Sequence, residues 1–317
     1  MAASCCRWCV PKWRAAPLFE LRLDLACRGG GTLAGMPDWF SGDVSANGLR
    51  IHYSRTGGDK PPLVLLHGAT DNGRCWTRVA RDLESDYDVI LPDARGHGQS
   101  DAPASGYTSA DRAADLASFI YALGLQRPVV GGHSMGGATT LAFIAAYPDV
   151  ASCAVLEDPP FRLGDFSAPT TGRENPRDTM RGVVQGAKAD GLEATISRGR
   201  AASPTWAEEE FEPWAQAKAQ VSWSFLDDLT RGPMTPEWTE QLPRVTCPVL
   251  LVTSDPELGG IVNPAVADEA RRLLPALQVV RLTGAGHNIR REQFGPFVAA
   301  VRSFMAAQVP ARQGARA

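Results

Sequence analysis

A serine at a sharp strand-to-helix turn constrains this chain more than any other feature. Residues 132–136 read Gly-His-Ser-Met-Gly, after the apolar run 128–131 and before the helix-forming stretch 138–147. Glycines two positions either side of Ser134 allow the strand and the helix to approach without Cβ clashes. The turn lifts the hydroxyl clear of a sheet and directs the first N–H groups of the helix toward any negative charge forming beside it. The pattern therefore predicts a nucleophilic serine.

Strand-like and helix-like segments alternate along most of the chain. Short apolar runs of the buried, parallel kind occur at 62–66, 87–91, 151–156, 248–253 and 279–282, and helical periodicity separates most of them. Such alternation predicts an α/β fold, in which a parallel sheet is covered by helices on both faces. Ligands of these folds bind at the carboxyl ends of the strands.

The composition excludes several classes of protein. The 317 residues carry a formal net charge of −3, and 21% of them are charged without forming a basic cluster, which argues against nucleic acid as a partner. No apolar run approaches the ~20 residues that a membrane-spanning helix needs. Cys75, Cys153 and Cys247 lie scattered at or beside predicted core elements. We therefore expect reduced thiols and a cytoplasmic location.

The same patterns divide the chain into four regions. Residues 1–35 hold four cysteines and a triglycine without periodicity, and we expect them to be a disordered or non-native extension that precedes Met36. Residues 161–243 hold four of the eight tryptophans and lack a buried strand, which predicts a helical cap inserted after strand 6. The predicted core consists of residues 36–160 and 244–308. Residues 309–317 read as a disordered tail.

Five motifs, taken in order, resemble those of the α/β-hydrolase family. They are His-Gly-Ala at 67–69, Asp-Ala-Arg-Gly-His-Gly-Gln-Ser at 93–100, the turn at Ser134, an acidic loop at Asp255, and Gly-Ala-Gly-His at 284–287. The resemblance covers residues 43–306. It implies an α/β-hydrolase fold with a mostly parallel eight-stranded sheet flanked by helices, a helical cap, and a triad of serine, histidine and acid. A serine nucleophile counts against the dehalogenase and epoxide hydrolase branches, which use aspartate there.

The histidine of the triad can be chosen by elimination, because serine attack needs a base close to the hydroxyl. His52 lies within an early strand. His67 and His97 belong to turns that the family uses structurally. His133 neighbours the serine on a strand, so its side chain is expected to point away. His287, in a glycine-bounded loop after the final strand, is the predicted base.

Three carboxylates remain candidates for the acid that orients the histidine. Asp255 is favoured, because it directly follows the strand at 249–254 and is stiffened by Pro256. In much of the family the acid lies three residues after a glycine at this strand end, which would indicate Glu257. Some members take the acid from the loop after the sixth strand, which would indicate Asp158.

The resemblance also implies the oxyanion hole and the absence of a cofactor. The family takes one backbone N–H from the residue after the nucleophile and one from the residue after His-Gly, which are Met135 and Ala69 here. Both donors belong to the main chain, so side-chain identity matters little. The sequence shows no phosphate loop, dinucleotide fingerprint or complete metal-ligand set, and we expect neither a cofactor nor a metal.

These observations predict a carboxylic ester hydrolase that acts through an acyl-enzyme on a small-molecule ester. Within the family the chain looks similar to small-ester hydrolases such as monoalkyl phthalate hydrolases. The first alternative is a carbon–carbon bond hydrolase of aromatic ring-cleavage products, which uses the same triad. The second is a non-catalytic ligand receptor that keeps the fold.

Arginines of the predicted cap indicate how a substrate charge could be recognised. A guanidinium can hold a carboxylate through two hydrogen bonds, whereas a neutral ester offers only weak acceptors. If one of these arginines points inward, we expect a preference for monoesters with a free carboxylate. The cap arginines considered are Arg162, Arg173, Arg177, Arg181, Arg198 and Arg200.

Overall fold

The computed structural model describes residues 39–161, 176–229 and 238–309, without the side chains of 176 and 177. The predicted extension at 1–35 lies outside the described residues, as does all of the predicted tail except position 309. Within the described residues, eight strands form one sheet. Their bounds are β1 Phe40–Ala46, β2 Leu49–Arg55, β3 Pro62–Leu66, β4 Asp88–Pro92, β5 Val129–His133, β6 Cys153–Glu157, β7 Val249–Thr253 and β8 Gln278–Arg281.

The strands follow the spatial order β1-β2-β4-β3-β5-β6-β7-β8. The first two are antiparallel to their neighbours, and the pairs from β4 to β8 are parallel. Strands β3 to β7 are almost wholly buried, as their uninterrupted apolar runs predict for a sheet covered on both faces. The predicted mostly parallel, eight-stranded sheet flanked by helices is confirmed.

Helices cover both faces of the sheet, and five more lie in the described parts of the chain between β6 and β7. Their bounds are α1 Thr77–Leu83, α2 Ser109–Ala122, α3 Met135–Ala146, α4 Pro176–Asp190, α5 Leu192–Ala202, α6 Phe211–Gln220, α7 Trp223–Leu229, α8 Trp238–Gln241, α9 Pro264–Leu273, α10 Ile289–Glu292 and α11 Phe294–Gln308. Helices α4 to α8 are called the cap segment below. No helix in the described ranges is long and apolar enough to cross a membrane.

Successive residues of a strand point to opposite faces, and β3 shows how this divides the core. Val64 belongs to a cluster that includes Phe119 of α2 and Leu141 of α3. Leu63 belongs to the cluster on the other face, which includes Leu83 of α1 and residues of α11. Buried apolar area stabilises a fold by about 25 cal/mol per Å². The two clusters therefore pack on the two faces of the sheet, and its carboxyl edge presents the loops that carry the predicted site.

The cap segment contacts the carboxyl end of the sheet. Ser222, at the start of α7, donates its backbone N–H to the carbonyl of Gly96 at 2.8 Å, in the loop after β4. Phe225 packs edge-on against His97, with 4.3 Å between the ring centroids. Asn72, in the loop after β3, donates to Gln220 of α6 at 2.8 Å. The cap segment therefore packs on the loops that follow β3 and β4.

Candidate active site

Ser134 stands between β5 and α3 with φ 50° and ψ −114°, a backbone conformation that residues other than glycine rarely adopt. Close packing enforces this turn. A Cβ on Gly132 would lie 2.3 Å from the carbonyl carbon of Gly136, and a Cβ on Gly136 would lie 2.2 Å from the carbonyl oxygen of Leu66. Only glycine fits at either position. The structure thus places Ser134 on the strained strand-to-helix turn that the sequence motif predicts.

His287 lies in the loop between β8 and α10, and its ring is paired with a carboxylate. Its Nδ1 donates to Oδ2 of Asp158 at 2.7 Å. The Asp158 side chain is fully buried, whereas that of His287 is 29% exposed. With Nδ1 engaged in this way, the neutral ring carries its proton on Nδ1, and its Nε2 is left as the basic nitrogen.

The backbone fixes the position of Asp158 independently of His287. The residue follows β6 with φ 40°. Its carboxylate accepts the backbone N–H groups of Ile261 and Val262, both at 2.9 Å. An ionised carboxylate that accepts three N–H groups is held in one orientation and is well compensated despite its burial. Asp158 can therefore fix the tautomer and the orientation of the His287 ring.

The prediction that Asp255 orients His287 is corrected by these contacts. Asp255 binds Arg281, whose Nη2 lies 2.7 Å from Oδ1, and it accepts the backbone N–H of Gly284 at 2.7 Å. The N–H of Gly284 and then the guanidinium of Arg281 hold the pKa of Asp255 below its ordinary value. Asp255 thus ties its own loop to β8. Glu257, the second candidate, is exposed in the same loop.

The order of strands in the sheet explains the correction. Strand β6 lies directly beside β5, and Glu157 is in register with His133, so the next residues, Asp158 and Ser134, begin adjacent loops. Strand β7 lies one position further from β5. A carboxylate that follows β6 is consequently nearer to the serine than one that follows β7.

His133 is a further residue of the site, and sequence analysis missed its contact with His287. Its Nε2 donates to the carbonyl oxygen of His287 at 2.9 Å. The two imidazole rings pack with 4.6 Å between their centroids. Burial, and then the positive charge of Arg290, lower the pKa of His133 well below its usual value. His133 is therefore a neutral support for His287, which holds the His287 ring beside the strand that ends at Ser134.

The residues predicted for the oxyanion hole lie in two segments that meet. Met135 is the first residue of α3, so its N–H has no acceptor within the helix. Ala69 lies in a turn closed by a 3.1 Å hydrogen bond from the N–H of Asp71 to the carbonyl of Gly68. The start of α3 touches the end of β3 through Gly136 and Leu66. The turn and the helix start are therefore neighbours at the carboxyl edge of the sheet.

His67 and His97 have the structural surroundings that the resemblance implies. The Nδ1 of His67 donates to the carbonyl of Gly68 at 2.8 Å, and its Nε2 accepts the N–H of Ala94 at 2.9 Å. The Nδ1 of His97 donates to the carbonyl of Arg95 at 2.9 Å. Burial lowers the pKa of both histidines, so both are neutral. Neither ring is available as a base for Ser134.

Six buried charged side chains contact one another beside the loops of the candidate active site, and the sequence did not predict their association. We call this set the buried charge cluster. Asp71 is its centre, because its carboxylate binds Lys218 of α6 at 2.7 Å and both arginines that follow His287, at 3.2 and 3.1 Å. Three negative and three positive groups balance each other, which burial requires. The members are Asp71, Glu157, Glu210, Lys218, Arg290 and Arg291.

The cap arginines that can be described face solvent. Arg181 binds Asp227 at 2.8 Å, and Arg198 binds Asp190 at 2.7 Å. Arg200 binds Glu208 at 3.0 Å and is likewise exposed. Arg162 and Arg173 lie outside the described residues, as does the side chain of Arg177. The three described arginines therefore do not supply an inward-pointing carboxylate clamp.

No group of three or more candidate metal ligands occurs among the residues that the structure describes. The buried carboxylates at the site are instead bound to other groups of the protein. The carboxylate of Asp158 is committed to His287 and two backbone N–H groups, and that of Asp71 is committed to three cations. The chemistry that these contacts support is attack by a serine assisted by a histidine and a carboxylate.

Comparison with known proteins gives matches along most of the chain. Residues 61–290 match the family model described as the alpha/beta hydrolase fold. The chain is 31% identical to N-formylmaleamate deformylase of Pseudomonas putida over 270 residues, which are 83% of this chain and 96% of that protein. It is 29% identical to 2-(acetamidomethylene)succinate hydrolase of Mesorhizobium japonicum over 74% of this chain and 84% of the relative.

The chain also resembles a solved structure along most of its length and a further relative over a shorter segment. A crystal structure of E-2-(acetamidomethylene)succinate hydrolase superposes with a TM-score of 0.73, at 23% identity, and the match covers 84% of this chain and 99% of that one. A segment of 106 residues is 38% identical to a 2-hydroxy-6-oxononadienedioate/2-hydroxy-6-oxononatrienedioate hydrolase of Paraburkholderia phymatum, and it covers 32% of this chain and 37% of the relative.

Proposed function

Because this chain belongs to the α/β-hydrolase family, we propose that it is a serine hydrolase whose triad consists of Ser134, His287 and Asp158. The observation that carries the assignment is the 2.7 Å hydrogen bond between His287 and the buried Asp158. This contact supports Asp158, the candidate that follows β6, as the acid. It argues against Asp255, which the sequence favoured. The neutral His133, which packs against the ring of His287, supports the same arrangement.

In the proposed mechanism Ser134 attacks a carbonyl carbon while Nε2 of His287 takes the hydroxyl proton. Asp158 stabilises the imidazolium that forms. The N–H groups of Ala69 and Met135 donate to the oxyanion of the tetrahedral intermediate. His287 then returns the proton to the leaving group, and an acyl-enzyme remains on Ser134. Water, activated by His287, attacks the acyl-enzyme and releases the acid.

The relatives support cleavage of a carbon–nitrogen or carbon–carbon bond better than ester hydrolysis. The names of the two relatives that match most of the chain describe a formyl or an acetyl group on nitrogen, within a small unsaturated molecule that carries carboxylates. We therefore propose a short N-acyl group on such a molecule as the substrate class. The proposed substrate is thus an N-acyl compound of this class and not a monoalkyl phthalate ester.

A direct assay compares bond types with one enzyme preparation. We expect release of formate from N-formylmaleamate, or of acetate from 2-(acetamidomethylene)succinate, with kcat/KM at least about tenfold above that for p-nitrophenyl acetate. S134A, at matched protein concentration, is the control for background hydrolysis. If the ester is hydrolysed and neither N-acyl compound is consumed, the substrate proposal is wrong and the protein is a carboxylesterase.

A carbon–carbon bond hydrolase is the second candidate. The 106-residue match to a ring-cleavage-product hydrolase favours it. The proposed triad can serve both reactions, because each requires a base and a proton donor beside the carbonyl whose bond is cleaved. A 2-hydroxy-6-oxo-dienedioate has an absorbing conjugated system that cleavage destroys, so its loss can be followed by absorbance. Consumption of this compound but not of the N-acyl compounds would favour the second candidate.

A further inference from the structure

One member of the buried charge cluster connects the cap segment to the turn that carries Ala69. The Nζ of Lys218, in α6, donates to the carbonyl oxygen of Thr70 at 3.0 Å and to Oδ1 of Asp71 at 2.7 Å. The Lys218 side chain is 5% exposed. A lysine is rarely buried to this extent unless it is paired, so these two contacts fix its ammonium group.

The turn that Lys218 binds has a conformation that its own sequence disfavours. Thr70 has φ 64°, in the left-handed region where a β-branched residue is strained and glycine is the usual occupant. Such conformations persist only where surrounding contacts hold them. Lys218 contacts the carbonyl of Thr70 itself. Ala69 precedes Thr70 in the same turn, so the direction of the Ala69 N–H depends on the conformation of this turn.

A second set of contacts with the turn comes from α10, which directly follows the loop that carries His287. Asp71 accepts from Arg290 and Arg291. The N–H of Arg290 in turn donates at 2.9 Å to Glu157, the residue before Asp158. Lys218 therefore completes a set of contacts that joins the turn carrying Ala69, helix α10 and the residue before Asp158.

We propose that Lys218 is a positioning residue, which fixes the turn from Gly68 to Asp71 so that the N–H of Ala69 points at the oxyanion. This inference rests on the proposed serine hydrolase function. It assigns to the cap segment a part in transition-state stabilisation. Docking of α6 has a separate support in the hydrogen bond between Asn72 and Gln220, so loss of the lysine does not remove every contact of the helix.

The test is K218M, which keeps the aliphatic stem and removes the charge and the donors. We expect kcat to fall about 10²-fold with KM changed less than about threefold, because a misplaced donor affects the transition state and not substrate binding. K218R, which retains charge and donors, should recover most of the rate. The matched control is K188M, because Lys188 donates to the carbonyl of Ala219, beside Lys218, without reaching the turn.

Two measurements keep this test independent of the substrate. The rate at which a fluorophosphonate labels Ser134 should fall in K218M and not in K188M, whatever the natural substrate is. Hydrogen–deuterium exchange of a peptide covering residues 66–72 should rise in K218M and not in K188M, even if no substrate is turned over. Failure of the N-acyl assay with these two effects present would remove only the substrate proposal.

Removal of Lys218 leaves a buried negative charge in excess, so K218M also carries a risk of misfolding. The double variant D71N/K218M restores the charge balance and should melt closer to the wild type. We expect its labelling rate to remain reduced, because the contact with Thr70 is still missing. A wild-type labelling rate in either variant, or unchanged exchange at residues 66–72 in K218M, would overturn the proposal.

Discussion

The carboxylate of Asp158 accepts a hydrogen bond from Nδ1 of His287 at 2.7 Å, although 129 positions separate the two residues in the chain. Strand β6 ends immediately before the aspartate, and the loop after β8 carries the histidine. The same carboxylate also accepts the backbone N–H groups of Ile261 and Val262. It is this arrangement, in which the backbone fixes the acid and the acid fixes the ring, that separates Asp158 from the other acidic candidates.

The first prediction compares the two aspartates by the same substitution. D158N should lower kcat about 10⁴-fold, because an amide stabilises the wrong tautomer of His287 while preserving shape. D255N should stay within about threefold of the wild type, since Asp255 contacts Arg281 and Gly284 instead. Steady-state rates on any accepted substrate suffice. A larger loss in D255N, or in E257Q, would assign the acid to the loop after β7.

The second prediction concerns the nucleophile. S134A should lower kcat by about 10⁴ to 10⁶-fold, in line with other serine triads, with an unchanged thermal melting curve. Mass spectrometry of the wild type should show one fluorophosphonate adduct, on the peptide that contains Ser134. Labelling of a different serine, or turnover by S134A within tenfold of the wild type, would contradict the mechanism.

The parts of the fold that depend on local pattern could be predicted from the sequence. Apolar runs long enough for one buried strand identify β3 to β7, and the glycines around Ser134 identify the turn. The sequence also predicts His287 as the base by elimination, because the other histidines lie in strands or structural turns, and this role stays a prediction. The strands and the turn depend on residues that are near neighbours in the chain, so the chain order alone displays them.

The acid and the buried charge cluster depend on the spatial order of strands, which chain order does not display. Asp158 and Asp255 both follow strands, and only the placement of β6 beside β5 decides between them. Arg290 and Asp71 are 219 positions apart. In sequence, consecutive arginines after a histidine are typical of a solvated surface. Their burial arises from pairing with carboxylates brought from three other segments.

The third prediction tests the packing of the turn at Ser134. G132A should prevent accumulation of folded protein, because the new Cβ would lie 2.3 Å from backbone atoms of Gly136, which cannot move independently of α3. G295A is the matched control. It lies within α11, has no atom within 4 Å of its added Cβ, and should change stability by less than about 1 kcal/mol. The measurements are soluble yield and melting temperature. Equal behaviour of the two variants would contradict the packing argument.

The last prediction concerns stability against pH. Burial lowers the pKa of His67, His97 and His133, so all three are neutral in the folded protein. In the unfolded chain they titrate near the ordinary value of about 6.5. The unfolded state therefore binds more protons as the pH falls below about 6.5, and the free energy of unfolding decreases there, by about 1.4 kcal/mol per pH unit for each fully depressed histidine. The contribution is fully present above about pH 6.5.

Urea unfolding followed by tryptophan fluorescence at pH 7.5, 6.5 and 5.5 measures this dependence. We expect a smaller loss of stability between the first two values than between the last two. H97Q removes one of the three groups, so its slope below pH 6.5 should be shallower by about one proton, whatever its stability at pH 7.5. The slope, and not the absolute stability, is the decisive quantity, because the substitution also disturbs the packing against Phe225. A wild-type protein equally stable at pH 7.5 and 5.5 would show that these histidines can be protonated without unfolding the chain.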